Sequence, residues 1–240
     1  MKKLIGIMCL FPFLFSPAAI AGVCEEADIT RHLKLPPGVT LDVVSKREVN
    51  GMCEMIVRPS NYTRLLSLYA TKDFVILGSM FEDKRELDKE SIRKAEKQEF
   101  LSVKPELDQL AAFSYKPEEV KRTAYLFTDP DCPYCNRAKK RIREFADQHN
   151  LEVKVIFFPV HKTAEEKIIS GICEKMTFED YLAGRYGEKA CPEGKETLKK
   201  SREIARRIGV SGTPTLIFDN GKRAVGFSPA RMARVLEEGN

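Results

Sequence analysis

Apolar and polar positions divide the chain into an apolar leader, a β-rich part, a charged stretch and a longer mixed part. The β-rich part spans residues 22–81 and begins with a short helical pattern. Three segments rich in β-branched and aromatic residues follow, at 39–44, 53–57 and 74–77. Such segments favour strands, so we predict a small, mostly antiparallel sheet, an α+β N-terminal domain.

The charged stretch occupies residues 82–112. Between 82 and 99 its apolar positions are sparse, and Pro105 punctuates its far end. A helix with so few apolar residues is typically solvated. We therefore predict a solvated linker helix that holds two domains apart.

The mixed part spans residues 113–240. An apolar strand at 123–127, a helical pattern and a buried strand at 151–158 predict a parallel pair with a right-handed crossover. A charged, helical insert follows at about 163–208. Asn220-Gly221 then lies between two short strands, which is typical of a type I′ hairpin turn, before a last helix. This order predicts an α/β thioredoxin-like domain with a helical insert.

The leader has the pattern of a secretory signal peptide. Lys2 and Lys3 precede an apolar run at 4–15, and Ala19-Ile20-Ala21 supplies small residues for cleavage. The run is too short to span a bilayer. We therefore expect residues 1–21 to be removed and the rest to be exported to an oxidising compartment.

The net charge and the number of cysteines limit the classes of function that are expected. The formal net charge of +5 is small, and the basic residues are dispersed, so a nucleic-acid partner is not expected. No cofactor and no bound metal are predicted. Loss of the leader removes Cys9 from the seven cysteines and leaves an even number. An even number in an exported protein indicates disulfide pairing.

Cys132-Pro133-Tyr134-Cys135 is the most informative motif. It lies between a strand and a helix, the setting of a redox-active pair. Cys132 is predicted at the N-cap, where free amide hydrogens and the helix dipole favour a thiolate. Pro133 suits the first helical position, since the missing N–H does no harm there.

Two less reactive roles for the pair are a structural disulfide and half of a zinc site. Zinc would need two further ligands. The spacing of the three histidines, His32, His149 and His161, does not supply them.

With these residues in place, the chain resembles the DsbC/DsbG family of periplasmic thiol:disulfide interchange proteins. The resemblance is carried by residues 127–135, by 210–214 (Val-Ser-Gly-Thr-Pro) and by 178–184, and it covers nearly the whole mature chain. It implies that Pro214 is the cis-proline facing the active pair, with Thr213 beside the sulfurs. It also implies a structural disulfide between Cys173 and Cys191 in the insert.

The same resemblance implies an activity. Cys132 would be the nucleophile and Cys135 the resolving cysteine, while Pro133 and Tyr134 set the redox poise. The family implies a V-shaped homodimer joined by its N-terminal domains. It would be an isomerase or reductase of wrong disulfides in misfolded exported proteins, with chaperone character and a membrane electron donor of the DsbD type. The alternatives are a dithiol oxidase that donates disulfides, and a Cu(I)-binding or chaperone module.

Cys24 and Cys53 lie outside the resemblance. The even cysteine count favours a disulfide that pins the N-terminal helix to the sheet. The alternative is a Cu(I) site in which Met52 and Met55 join them as soft ligands.

Three expectations concern the surroundings of the pair. Leu126 stands where thioredoxin has a buried carboxylate, and Asp129 and Asp131 are expected to be exposed, so no internal base is predicted. Deprotonation of the Cys132 thiol would then depend on the positive end of the helix that begins at this residue. The basic residues of the following helix are expected on its solvated face; they are Arg137, Lys139, Lys140, Arg141 and Arg143.

Overall fold

The computed structural model describes residues 22–237, which form two main sheets connected by a long helix. The expected signal peptide lies outside these residues. The helices and strands in chain order are α1 (Val23–Glu26), α2 (Ile29–His32), β1 (Leu41–Val49), β2 (Met52–Pro59), β3 (Leu66–Ala70), β4 (Val75–Leu77), β5 (Phe81–Glu82), β6 (Arg85–Glu86), α3 (Leu87–Leu110), β7 (Phe113–Tyr115), β8 (Arg122–Thr128), α4 (Pro133–Gln148), β9 (Leu151–Phe157), α5 (Ala164–Cys173), α6 (Phe178–Ala183), α7 (Pro192–Arg207), β10 (Thr215–Phe218), β11 (Arg223–Val225) and α8 (Pro229–Glu237).

The N-terminal sheet is antiparallel throughout, in the order β1-β2-β3-β4. Along β2, Cys53, Met55 and Val57 point into an apolar core that also contains Ala27 and Ile29 from the N-terminal segment. Successive strand residues point to opposite faces, so the residues between them face α3. The small antiparallel sheet predicted from the sequence is present, with β3 as an additional strand.

Two disulfide bonds connect elements of the fold. Cys24 is bonded to Cys53, with Cα atoms 4.8 Å apart, and this bond attaches α1 to β2. Cys173 is bonded to Cys191, with Cα atoms 5.9 Å apart, and joins the end of α5 to the start of α7.

Removal of the first disulfide should destabilise the protein measurably. Cys24 and Cys53 are 29 residues apart. In the chain-entropy account, closing a loop of this length contributes about 3 to 4 kcal/mol. We expect the Cys24→Ala/Cys53→Ala double variant to lose about that much free energy of unfolding in urea titrations followed by circular dichroism. The matched Cys173→Ala/Cys191→Ala variant should lose about 3 kcal/mol. An unchanged urea midpoint in the first variant would contradict the prediction.

The linker is a helix, as predicted, but it is not solvated on all sides. In the first half of α3, Ala95 packs against Ile56 and Leu65 of the N-terminal part. In the second half, Phe100, Val103, Leu107 and Leu110 recur every three or four residues and are buried in a core of the second sheet. Such spacing gives a helix one apolar face. The expectation of a solvated spacer is therefore wrong, because this helix is shared by two cores.

Pro105 does not end α3. Proline lacks the N–H that would pair with the carbonyl four residues earlier, and inside a helix this is costly. Here that carbonyl belongs to Leu101, whose side chain is exposed, so water can reach this side of the helix.

Ion pairs connect α3 to the N-terminal sheet and to the second sheet. Arg58 of β2 donates two hydrogen bonds to Glu99, Nη1 to Oε1 at 2.7 Å and Nη2 to Oε2 at 2.5 Å. Arg223 of β11 lies 3.7 Å from Glu96. A two-point guanidinium–carboxylate contact fixes orientation as well as distance.

The second sheet has the order β11-β10-β8-β9-β7. Strands β8 and β9 are parallel, as predicted, and the other neighbouring pairs are antiparallel. Ala124 and Leu126 of β8 face a core formed with α4, α5 and α6, while Tyr125 and Phe127 face the core shared with α3 and α7. The sheet is therefore covered on both faces, and the insert is helical as predicted.

The β10–β11 hairpin differs from the predicted type I′ turn. That turn requires positive φ at both central residues. Only Gly221 has it, at +82°, and Asn220 is not among the positive-φ residues. The Gly221 N–H donates to the Phe218 carbonyl (2.8 Å), and the Lys222 N–H donates to the Asn220 side chain (3.0 Å). The Asn220 side chain thus stabilises a longer turn that ends in a glycine bulge.

Candidate active site

The Cys-x-x-Cys motif lies where β8 gives way to α4. Cys132 is the N-cap of α4, Pro133 is its first residue, and the Cys135 N–H donates to Cys132 Sγ at 3.4 Å. Cys132 and Cys135 carry free thiols. The amide that contacts Cys132 is one of the unpaired donors of the first helical turn, so the local fold directs a partial positive charge at this sulfur.

The loop before β10 brings Thr213 and Pro214 to the same place. The peptide bond between them is cis. The Cys132 thiol donates to the Thr213 carbonyl oxygen at 3.4 Å. Residues 81 positions apart in the chain therefore meet at one sulfur.

Both sulfurs are poorly accessible. Cys132 is 3% exposed and Cys135 is 0% exposed. Burial raises the pKa of the Cys135 thiol to about 11. Tyr134, between the cysteines, is 62% exposed, and the Arg137 guanidinium lies 4.4 Å from its ring centroid. Tyr134 thus offers an aromatic surface beside the thiol pair.

Asp129 is buried, contrary to the expectation of an exposed carboxylate. Its Oδ2 accepts from the Val160 N–H (2.7 Å) and the His161 N–H (2.9 Å), and His161 Nδ1 lies 3.0 Å away. Its Oδ1 accepts from the Asp131 N–H at 2.7 Å. A buried carboxylate is tolerated where N–H groups surround it in this way. Asp129 joins the loop after β9 to the loop that carries Cys132.

Asp131 is partly buried, so the expectation of exposure is only partly met. Its carboxylate accepts from Thr163 Oγ1 at 2.5 Å and pairs with Lys167. The hydrogen bond from Lys167 lowers the pKa of Asp131. Leu126, by contrast, lies in an apolar core and leaves no polar group at its position.

Lys139 departs from the predicted solvated face of α4. Only 8% of it is exposed, its ammonium donates to the Tyr186 hydroxyl oxygen at 3.0 Å, and it lies 4.3 Å from the Tyr181 ring centroid. Arg137, Lys140 and Arg141 are exposed, as expected.

Sequence reasoning missed this layer beneath the cysteines. Tyr181 and Thr128 complete it, with a 2.9 Å hydrogen bond between their hydroxyls. A signal was present: Cys135, Ala138, Lys139 and Ile142 have the i, i+3, i+4, i+7 spacing of one buried helix face.

The other cysteines and the histidines form no metal centre in the described part of the chain. Within residues 22–237, no three side chains of His, Cys, Asp or Glu come together as a metal site would require. Because Cys24 and Cys53 are bonded to each other, the structure favours the disulfide over the copper alternative for this pair. No helix in the same range is both long and apolar enough to cross a bilayer.

Comparison with known proteins places this site in a family. Residues 111–240 match the thioredoxin-like domain family. The chain is 25% identical to the thiol:disulfide interchange protein DsbC of Salmonella typhimurium strain LT2, over 99% of this chain and 97% of that protein. It is 26% identical to DsbC of Escherichia coli strain K12, over 52% of this chain and 54% of that protein.

Solved structures agree on the fold. The thiol-disulfide exchange protein α-DsbA2 from Wolbachia pipientis matches 62% of this chain and 98% of its own, with a TM-score of 0.51 and 17% identity. A linker-deletion mutant of Proteus mirabilis ScsC matches 63% of this chain and 85% of its own, with a TM-score of 0.50 and 16% identity. The chain therefore belongs to the thioredoxin-like domain family and is a thiol-disulfide oxidoreductase that is similar to DsbC proteins.

Proposed function

We propose that this protein is a periplasmic disulfide isomerase that rearranges wrong disulfides in misfolded exported proteins. One observation carries the proposal: Cys132 caps α4 while its sulfur lies against the Thr213 carbonyl. This arrangement supports a thiol that the helix terminus activates and that lies beside backbone able to receive a peptide.

The reaction begins with the Cys132 thiolate as nucleophile. It attacks one sulfur of a substrate disulfide, a Cys132–substrate bond forms, and the other substrate sulfur leaves with the electron pair of the broken bond. The released thiolate takes up a proton or attacks another disulfide of the same substrate. The second course exchanges one pairing for another without net oxidation.

Substrate backbone is bound beside Pro214. The Thr213 carbonyl already accepts a hydrogen bond from Cys132, so it faces the reacting sulfur and can accept from an extended peptide instead. Pairing through main-chain atoms suits an enzyme with many substrates, since it does not depend on their side chains. Tyr134 adds an exposed apolar surface at the same edge.

The burial of Cys135 supports isomerisation over rapid reduction or oxidation. Burial raises the pKa of the Cys135 thiol, so a smaller fraction of it is ionised at neutral pH than of an exposed thiol. Because the thiolate is the nucleophile, Cys135 resolves the mixed disulfide slowly. The substrate then has time to find another pairing before it is released.

The N-terminal sheet supplies a surface for a homodimer. Strand β4 lies at the edge of the sheet, where its main-chain groups are open to another strand. Ile76 and Leu77 on β4 are exposed, as are the neighbouring Phe74 and Phe81. An apolar edge strand of this kind favours pairing with a second copy, and two copies would enclose a cleft with chaperone character.

The proposal also includes export of the protein to the periplasm and reduction of its Cys132–Cys135 pair by a membrane partner. The leader at 1–21 supports delivery to the periplasm. An isomerase must begin each cycle with a reduced Cys132, so a membrane electron donor of the DsbD type is the expected partner.

Refolding of a scrambled substrate tests both the activity and the dimer. The reduced full-length protein should restore activity to ribonuclease with scrambled disulfides. The Ile76→Lys/Leu77→Lys variant should sediment as a monomer and restore it several-fold more slowly, because like charges would oppose pairing at β4. Substitution is preferable to truncation near Tyr115, which would remove α3 from the core that contains Tyr125 and Phe127.

The possible outcomes separate the alternatives. Failure on the scrambled substrate, together with rapid oxidation of reduced ribonuclease by the oxidised protein, would show a dithiol oxidase. A wild-type protein that sediments as a monomer, or a charged variant that refolds substrate at the wild-type rate, would contradict the dimeric cleft.

A further inference from the structure

Lys139 is a buried ammonium group close to the redox pair. It lies one helical turn after Cys135 on the same face of α4, and both side chains are buried. Its immediate partners are neutral, namely the Tyr186 hydroxyl and the ring of Tyr181. Within residues 22–237, no carboxylate lies within ion-pair distance of it. A buried cation in such surroundings is expensive, so a partner of opposite charge is expected at some stage of the reaction.

The charged groups around Lys139 identify that partner. From its own helix the group of opposite charge is Cys135 when ionised, and from the loop before α4 it is Asp131. Asp131 is already bound by Lys167 of α5, which also acts on Lys139 as a like charge. Burial lowers the pKa of Lys139, and the strongest opposing influence is the charge on Cys135.

The remaining neighbours are phenols. Tyr181 comes from α6 and Tyr186 from the segment after it, and burial raises the pKa of both hydroxyls above the ordinary value. They therefore stay neutral at neutral pH. Among the described residues that act on Lys139, Cys135 is the group whose charge must change during exchange.

We propose that Lys139 is a positioning residue for the resolving step, where its ammonium stabilises the thiolate of Cys135. The proposal deepens the proposed function and rests on Cys135 being the resolving cysteine. In this step Cys135 loses a proton to water, and its sulfur attacks Cys132 Sγ in the mixed disulfide. The Cys132–Cys135 bond forms, the Cys132–substrate bond breaks, and the substrate sulfur leaves with the electron pair and takes up a proton. Lys139 keeps its own proton throughout.

The direction of the pH effect follows from the charges. A nearby positive charge favours the thiolate and lowers the pKa of a thiol. Since the charge on Cys135 raises the pKa of Lys139, the ammonium in turn favours the Cys135 thiolate, against the burial that raises the pKa of that thiol. Without the ammonium the thiolate fraction at a given pH falls, and the rate of resolution reaches its plateau only at higher pH.

Single-turnover kinetics on the full-length protein test this role. A fluorescent peptide is attached to Cys132 as a mixed disulfide, and its release is followed from pH 5 to pH 11.5, so that the curvature near the pKa of the resolving thiol is included. Lys139→Met preserves length and apolar contacts but removes the charge. We expect it to release the peptide about tenfold more slowly at pH 7, with the pH profile displaced upward by about one unit. Lys139→Arg should keep the wild-type profile, as should Lys140→Met, which removes an exposed charge from the same helix.

A second measurement separates the resolving step from the first attack. In a Cys135→Ser background, the rate at which Cys132 captures the peptide should change less than twofold when Lys139→Met is added. An unchanged pH profile of release in Lys139→Met would overturn the proposal, as would a shift that Lys139→Arg fails to prevent. If the wild-type protein releases no peptide at any pH, the resolving role of Cys135 fails, and this failure of the proposed function is distinct from the other two results.

Discussion

Replacement of Cys132 by serine should abolish thiol–disulfide exchange, whereas replacement of Cys135 by serine should trap the substrate. A serine hydroxyl at the N-cap still receives the Cys135 N–H but is not ionised there and forms no disulfide. With Cys135→Ser, the Cys132 thiolate can attack, but no thiol of the protein follows to release the adduct. Reduction of insulin should fall to the uncatalysed rate in both variants.

The two variants differ in the product that accumulates. Non-reducing gels should show covalent adducts with a disulfide-containing substrate for Cys135→Ser and none for Cys132→Ser. The Cys24→Ala/Cys53→Ala variant is the control, since it removes two cysteines that are bonded to each other in the N-terminal part and should leave exchange intact. Adducts on Cys132→Ser, or turnover by it, would contradict the assignment of the nucleophile.

Asp129→Ala should lower the free energy of unfolding by about 3 kcal/mol or more, because it removes a buried carboxylate that accepts hydrogen bonds from three backbone N–H groups. The N–H groups of Asp131, Val160 and His161 all donate to this carboxylate, at 2.7 to 2.9 Å. A hydrogen bond to a charged group contributes about 1.5 to 3 kcal/mol, so the loss of three such bonds exceeds the loss of a single one. Urea unfolding monitored by circular dichroism measures the effect.

Asp131→Ala is the matched control. It removes a carboxylate two residues away but preserves the backbone N–H that Asp129 binds. Asp131 forms an ion pair with Lys167, whose side chain is about half exposed. Because solvent weakens such a pair, we expect Asp131→Ala to lose about 1 kcal/mol of free energy of unfolding. Equal losses in the two variants would contradict the role of Asp129 as the group that joins the two loops.

The arrangement around Cys132 can be predicted from short-range sequence signals. The N-cap position of Cys132 and the first helical position of Pro133 follow from strand, turn and helix signals within a dozen residues. The parallel β8–α4–β9 unit follows from the handed connection between two apolar strands. Each of these features is decided by residues adjacent in the chain.

Features that depend on distant partners were not predictable in this way. A carboxylate such as Asp129 normally implies exposure, and two of the three N–H groups that allow it to be buried come from the distant turn after β9. Residue type predicts that Lys139 is solvated, and the tyrosines that cover it lie more than 40 positions further along the chain. Strand β7 is only three residues long and is defined by its pairing with β9.

The long helix α3 has a consequence for how the protein unfolds. Because its first half belongs to a core of the N-terminal part and its second half to a core of the second sheet, neither core can lose its structure without exposing apolar surface on the same helix. The ion pairs from Arg58 and Arg223 reinforce this on either side. Chains made of separately stabilised parts melt in steps. Here one continuous helix couples the two parts energetically, so heat or denaturant should act on them as a single cooperative unit.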